Sequence, residues 1–182
     1  KPPHLGHHRL KPLVRHWIPA VVEELERDNI QLVPQLDETD SEVLIDADQL
    51  YQIFLNIIWN ARDALSGHPN PHVFVRIEEG DDKYAKLVIQ DTGSGMIPEQ
   101  LQQVREPFFT TKTKGTGLGI PVSIQLMEAM GGRFDIDSEV EVGTKVTLYL
   151  RRAAAGFSES ASETDIFIRD FATEEPPAEL RN

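Results

Sequence analysis

Residues 48–65 carry the pattern that restricts the fold most. Leu50, Ile53, Phe54, Ile57, Ile58, Ala61, Ala64 and Leu65 recur at i, i+3, i+4 and i+7, the period of one buried helical face. Such a helix must lay its apolar stripe on something, and the segments after it supply that surface. HVFVRIEE from His72 and YAKLVIQ from Tyr84 alternate as strands do, and GDDK between them predicts an antiparallel hairpin. RFDIDSE from Arg133 and TKVTLYLRR from Thr144 form a second alternating pair around Gly143. Between the two pairs, residues 120–130 (IPVSIQLMEAM) predict another helix, ended by Gly131-Gly132. The order helix, hairpin, loop, helix, hairpin predicts an α+β fold, a two-layer α/β sandwich whose mixed sheet carries its helices on one face.

The flanking segments are less regular. Residues 12–28 mix apolar and acidic residues at helical spacing, and NIQLVPQL from Asn29 is extended, with Pro34 placing it at an edge or a break. DETDSE is expected as a polar turn, Asp46 or Asp48 as the cap of the main helix, and SGHPNP as its stop. Residues 1–11 are expected as an N-terminal edge or linker, 12–152 as the folded domain and 153–182 as an acidic, flexible tail. Beyond residue 152 the chain holds seven acids against Arg169 and Arg181, with one short patch, DIFIRDF, able to dock.

Composition removes several function classes. The formal charge of -12 over 182 residues, with no basic stripe, argues against a nucleic-acid partner. The absence of cysteine excludes disulfides, thiolate catalysis and Cys-ligated zinc. No apolar run reaches membrane-spanning length. The expectation is a cytoplasmic module without direct membrane contact, which could be the cytoplasmic part of a membrane-anchored receptor.

On the main helix, Gln52, Asn56, Asn60 and Asp63 interrupt the apolar pattern at spacings of four, four and three, so they share one stripe. Asn favours caps and turns over helix interiors, and two of them a turn apart need a reason. A solvated face is one. The other is a metal–phosphate site, because an amide oxygen is a hard, neutral ligand suited to Mg2+, which keeps most of its waters and binds largely through phosphates.

Two glycine-rich stretches follow. DTGSGM, residues 91–96, puts Asp91 at a strand end, where it could accept a hydrogen bond from an exocyclic amino group such as that of adenine. Gly93 and Gly95 would let the backbone pass close to a flat ring, although a plain turn accounts for the same letters. KGTGLGI, residues 114–120, opens the second helix, so free backbone N–H groups and the helix dipole could meet an anion there. It follows no strand, which excludes a Rossmann site, and no P-loop run exists. In EPFFTTKTK, Phe108 and Phe109 are expected as apolar anchors of a mobile loop with a ring free to pack on closing, and Lys112 and Lys114 as cations for a terminal phosphate. A solvated basic loop pinned by two aromatics fits that stretch equally.

Taken together and in this order, the segments resemble the ATP-binding domain of sensor histidine kinases, of the Bergerat-fold ATPase superfamily. NIIWNARDAL resembles the family's N box, DTGSGM its G1 box, EPFFTTK its F box and GTGLG its G2 box. VGTKVTLYL resembles the closing segment, with Gly143-Thr144 at the G3 position. The resemblance spans about residues 10–151, and EPFFTTK with its short lid looks most like the nitrogen-regulation sensor kinases. It implies a Bergerat fold with an ATP lid loop, ATP or ADP as ligand and Mg2+ as metal. Asn60 would hold Mg2+ and Asn56 and Asp63 would support the phosphates. Asp91 would read the adenine amino group, with Gly93 and Gly95 making room and Met96 packing near the ring. Lys112 would approach the γ-phosphate and act with Asn60 in catalysis. Thr110, Thr111, Gly115, Thr116, Gly117, Leu118 and Gly119 would form the phosphate-side lid, and Thr144 would lie near Asp91 and a bridging water.

One position separates the branches of that superfamily. Its hydrolytic members carry a Glu one turn before the metal Asn; here Asn56 stands there, and an amide cannot act as a general base. The resemblance therefore implies phosphoryl transfer to a partner rather than hydrolysis. Arg105 before the Glu-Pro and IPVSIQ at the second helix depart from the family pattern. His7 precedes Pro12 at the family's His-to-Pro spacing, but His8 replaces the expected acid and no two-helix hairpin fits before the N box. His4, His7 and His8 are expected as a terminal cluster rather than a metal site. The expected function is a histidine kinase catalytic fragment, monomeric alone, whose partners are a dimerisation domain bearing the acceptor histidine and then a response regulator receiver domain. The rival readings are a non-catalytic nucleotide-binding regulatory module and an ATP hydrolase of the same superfamily.

Overall fold

Asp46 decides where the longest helix begins. Its carboxylate accepts the backbone N–H of Gln49 at 3.1 Å and that of His4 at 2.8 Å, the bonding of an N-cap. Burial pushes this carboxyl up, but the N–H groups of His4, Gln49 and Asp48 outweigh it and hold it below its ordinary range. The computed structural model describes residues 1–36, 40–109 and 116–154. In chain order they form β1 (Gly6–Arg9), α1 (Leu10–Arg27), β2 (Gln31–Gln35), β3 (Glu42–Ile45), α2 (Ala47–Leu65), β4 (His72–Glu78), β5 (Tyr84–Asp91), α3 (Pro98–Gln103), α4 (Gly119–Ala129), β6 (Arg133–Glu139) and β7 (Gly143–Arg151).

The main sheet has the order β2-β4-β5-β7-β6. Only β2 and β4 run parallel; the remaining pairs are antiparallel, so the sheet is mixed, as expected. Pro34 lies in β2, an edge strand, where its missing N–H costs no ladder bond. Val73, Val75 and Ile77 of β4 and Ala85, Leu87 and Ile89 of β5 are buried. They share one core with Val14, Val21 and Leu25 of α1, Ile53, Phe54 and Ile58 of α2, and Met127 of α4. Trp17 locks α1 to α2 by tilted contacts with Tyr51 and Phe54, at centroid distances of 5.4 and 5.6 Å.

Three elements depart from the sequence expectation. Gly6–Arg9, inside the stretch expected as an N-terminal edge, pair antiparallel with β3, from Gly6↔Ile45 to Arg9↔Glu42. The strand β3 was not expected at all; part of DETDSE leads into it, with Ser41 buried and accepting the Leu10 N–H at 2.9 Å. Its partner lies more than thirty residues away, beyond the reach of a local period. The six-residue α3 buries no side chain, so it leaves no apolar stripe to detect. Residues 37–39 of the expected turn and 155–182 of the expected tail lie outside the described residues. Among the described residues no helix is long and apolar enough to cross a membrane.

Candidate functional site

The site is built where β5 runs out beneath the last turn of α2. Asp91, 6% exposed, accepts the N–H of Gly93 at 2.8 Å and that of Thr144 at 3.3 Å. Among the described residues both bonds fall on Oδ1, which leaves Oδ2 as the oxygen available to a ligand. Burial pushes the carboxyl above its ordinary value, opposed by the two N–H groups and by the charge of His68. A buried acid with one oxygen pinned and the other open is a preorganised acceptor.

The loop after Asp91 is clamped on both sides. The Ser94 N–H donates to the Ala64 carbonyl of α2 at 3.3 Å, and the Ser94 carbonyl accepts the Glu141 N–H at 2.8 Å. A Cβ on Gly93 would lie 2.8 Å from that Ala64 carbonyl oxygen and 2.9 Å from Asp91 Oδ1. Gly93 therefore lets the loop pack on α2, a nearer cause than room for a ring. Gly95 has φ +64°, and a Cβ there would stand 1.9 Å from the Glu139 carbonyl oxygen. Sequence reasoning missed the residue that joins these parts. Ser138 Oγ accepts the Met96 N–H at 2.9 Å and lies 3.1 Å from the Gly143 carbonyl and 2.8 Å from Thr144 Oγ1. If Ser138 donates to Gly143, Thr144 donates to Ser138, and all three polar groups are satisfied. Its only sequence signal is the cross-strand register Ser138↔Thr144.

The second half of the site lies at the start of α4. Among the described residues no side chain caps α4, which begins at Gly119, and the first N–H groups of a helix can meet an anion. Asn56 Nδ2 donates to Ser123 Oγ at 3.3 Å and to the Gly119 carbonyl at 3.5 Å. Asn60 is close by, its Nδ2 3.8 Å from where a Gly119 Cβ would sit. Asn60 precedes Ala64 by one helical turn, about 6 Å of axis, so α2 spans from the Gly119 end to the Asp91 end. Gln52 and Asp63 are exposed and Asn56 and Asn60 half-buried; the stripe is solvated at its ends and covered in its middle.

The segment before α4 shows why its glycines are there. Gly117 has φ +71°, and a Cβ on it would fall 2.4 Å from the Phe108 carbonyl carbon; its own carbonyl accepts the Phe108 N–H at 3.2 Å. Thr116 Oγ1 accepts the Leu118 N–H at 3.4 Å. Phe108, expected as one of two anchors, is 75% exposed at φ +66°. Anchoring falls to the half-buried Phe109, because the reversal at Phe108 carries its ring outward. Thr110, Thr111, Lys112, Lys114 and Gly115 lie outside the described residues.

These residues suit a nucleotide. One end has a buried acceptor, and Met96 in the loop after it is partly buried against the core. The other end has two amides and a helix start with no side-chain cap among the described residues. Among the described residues no three His, Asp or Glu side chains gather as a metal cage; a Mg2+ bound mainly through phosphates needs none.

Comparison with known proteins agrees with this fold. Residues 45–154 match the family described as histidine kinase-, DNA gyrase B- and HSP90-like ATPase. The sensor histidine kinase ZraS of Escherichia coli (strain K12) is 34% identical over 152 residues, covering 82% of this chain and 32% of that protein. Sporulation kinase E of Bacillus subtilis (strain 168) is 32% identical over 144 residues, covering 78% of this chain and 19% of its own length. The chain thus spans a third or less of these curated relatives. Among solved structures, the mycobacterial sensor histidine kinase MprB superposes with a TM-score of 0.68 at 25% identity, covering 81% of this chain and 97% of that one.

Proposed function

The chain belongs to the family of histidine kinase-, DNA gyrase B- and HSP90-like ATPases, and from that premise we propose that it binds ATP with Mg2+ and passes the γ-phosphate to a histidine on a separate dimerisation domain. A response regulator receiver domain is the next acceptor in this reading. The observation that carries it is Asp91. A buried carboxylate with Oδ1 held by Gly93 and Thr144 offers Oδ2 to the amino group of adenine and excludes water from that contact.

The phosphate end does the remaining work. The first N–H groups of α4 orient the phosphates, and Asn60 presents an amide to them from α2. A Mg2+ held by Asn60 and the phosphates would neutralise developing charge on the transferred group. Asn56 bears on what receives the phosphate. It donates to Ser123 and Gly119, and an amide takes no proton from water near neutral pH. That supports transfer to a partner side chain over hydrolysis.

Asn60→Ala should remove the Mg2+-dependent part of ATP affinity, a loss of about tenfold or more, or ~1.4 kcal/mol, and leave Mg2+-free ADP binding as it was. Calorimetry with and without Mg2+ checks it. Metal dependence that survives the substitution puts the ligand elsewhere, and no nucleotide binding by the unaltered chain removes the kinase reading altogether.

A further inference from the structure

We infer that Ser123 is a positioning residue for the phosphate end of the site, acting through Asn56; this rests on the nucleotide reading above. Ser123 lies in the second turn of α4 and is 1% exposed. Its hydroxyl has one proton, given to the Gly119 carbonyl one turn back at 2.7 Å. With that proton committed, Oγ can only accept toward its other neighbour. The neighbour is Asn56, whose Nδ2 is 3.3 Å away and 3.5 Å from the same Gly119 carbonyl.

Two acceptors on one side fix the orientation of a planar amide. Nδ2 is held against α4, which leaves Oδ1 as the acceptor directed away from those two contacts. A neutral oxygen in that place suits a water of a hydrated cation, and adds no charge beside a polyphosphate. Without the Ser123 hydroxyl, the longer contact to Gly119 is the one left among the described residues to select this orientation, and the amide can present its NH2 group outward instead. The same bonds tie α2 to the first turn of α4, so the two amide-bearing and phosphate-facing elements keep one relative placement.

The test uses the whole 182-residue chain and titrations of Mg2+–ATP and of AMP. Ser123→Thr and Ser123→Val have nearly equal volume and differ in the hydroxyl, so packing effects cancel between them. The expected result is that Ser123→Val binds Mg2+–ATP about fivefold more weakly than Ser123→Thr, the size of one neutral hydrogen bond. AMP affinity should be equal in the two. In an Asn56→Ala background the difference between Thr and Val should vanish. Equal Mg2+–ATP affinity in the two variants, or a difference that persists without Asn56, overturns the inference while leaving the nucleotide reading intact. Failure of the unaltered chain to bind either nucleotide overturns both.

Discussion

Replacing Asp91 by Asn should weaken ADP binding by about 100-fold, or ~2.7 kcal/mol, and leave the melting temperature nearly unchanged. The two side chains have the same shape. The Asn oxygen can still accept from Gly93 and Thr144 as Oδ1 does, so the loop keeps its internal bonds. What changes is the other atom, where an acceptor becomes an NH2 donor facing the donor of adenine. The same substitution should improve guanine nucleotides relative to adenine ones, because their 6-oxo group accepts from that NH2. Asp91→Ala would instead leave two buried N–H groups unpaired at about 1–3 kcal/mol each, so a fall in stability there says nothing about base recognition. Unchanged ADP affinity in Asp91→Asn would remove Asp91 from the site.

On the proposed reading the same carboxyl should give ADP binding a pH dependence. Burial raises it above 3.8, and the protonated form has lost the charge that accepts the amino group. Affinity should fall as pH drops through the raised value, earlier than an exposed Asp would allow, and Asp91→Asn should abolish that dependence. For folding the sign is opposite. The stability contribution of a raised carboxyl is fully present below 3.8 and is lost as pH rises through its folded value.

Gly143→Ala should unfold the domain at a temperature lower by roughly 10 °C, from a cost of about 3 kcal/mol or more. Gly143 opens β7 at φ +132°, a conformation L side chains rarely adopt, and its Cβ would stand 2.0 Å from the Asp91 carbonyl oxygen. The contact is backbone on backbone, so no side chain can swing aside. Relief requires β7 to lift from the end of β5, which moves the Thr144 N–H away from Asp91 Oδ1. Stability and ADP affinity should therefore fall together. A melting temperature within a degree or two of the parent would mean that this approach of β7 to Asp91 is looser than the geometry described here.

Where the sequence was legible, local chemistry set the outcome. The eight apolar positions of residues 48–65 specify α2 whatever packs on it, and RFDIDSE coincides with β6 residue for residue. Asp91, the two Asn and the helix start at Gly119 each had a plainer reading, a turn or a solvated face, and drew notice only together and in their order along the chain. What escaped depends on distant partners. Strand β3 exists because β1 returns to it. Ser138 matters because β6–β7 register sets it beside Thr144, and Ser123 because α4 packs with Asn56 of α2 against it. The glycines have a packing reason that the sequence did not show, since Gly93 packs on Ala64 and Gly117 on the Phe108–Phe109 peptide.

The most direct measurement incubates the chain with γ-labelled ATP, Mg2+ and a separately supplied histidine-bearing dimerisation domain, and follows label on protein and as free phosphate. The account predicts acid-labile, alkali-stable label on that domain's histidine, with little free phosphate from the chain alone and no transfer by Asn60→Ala. Steady release of phosphate without the dimerisation domain, and no label on it when present, would contradict the account and leave a hydrolase.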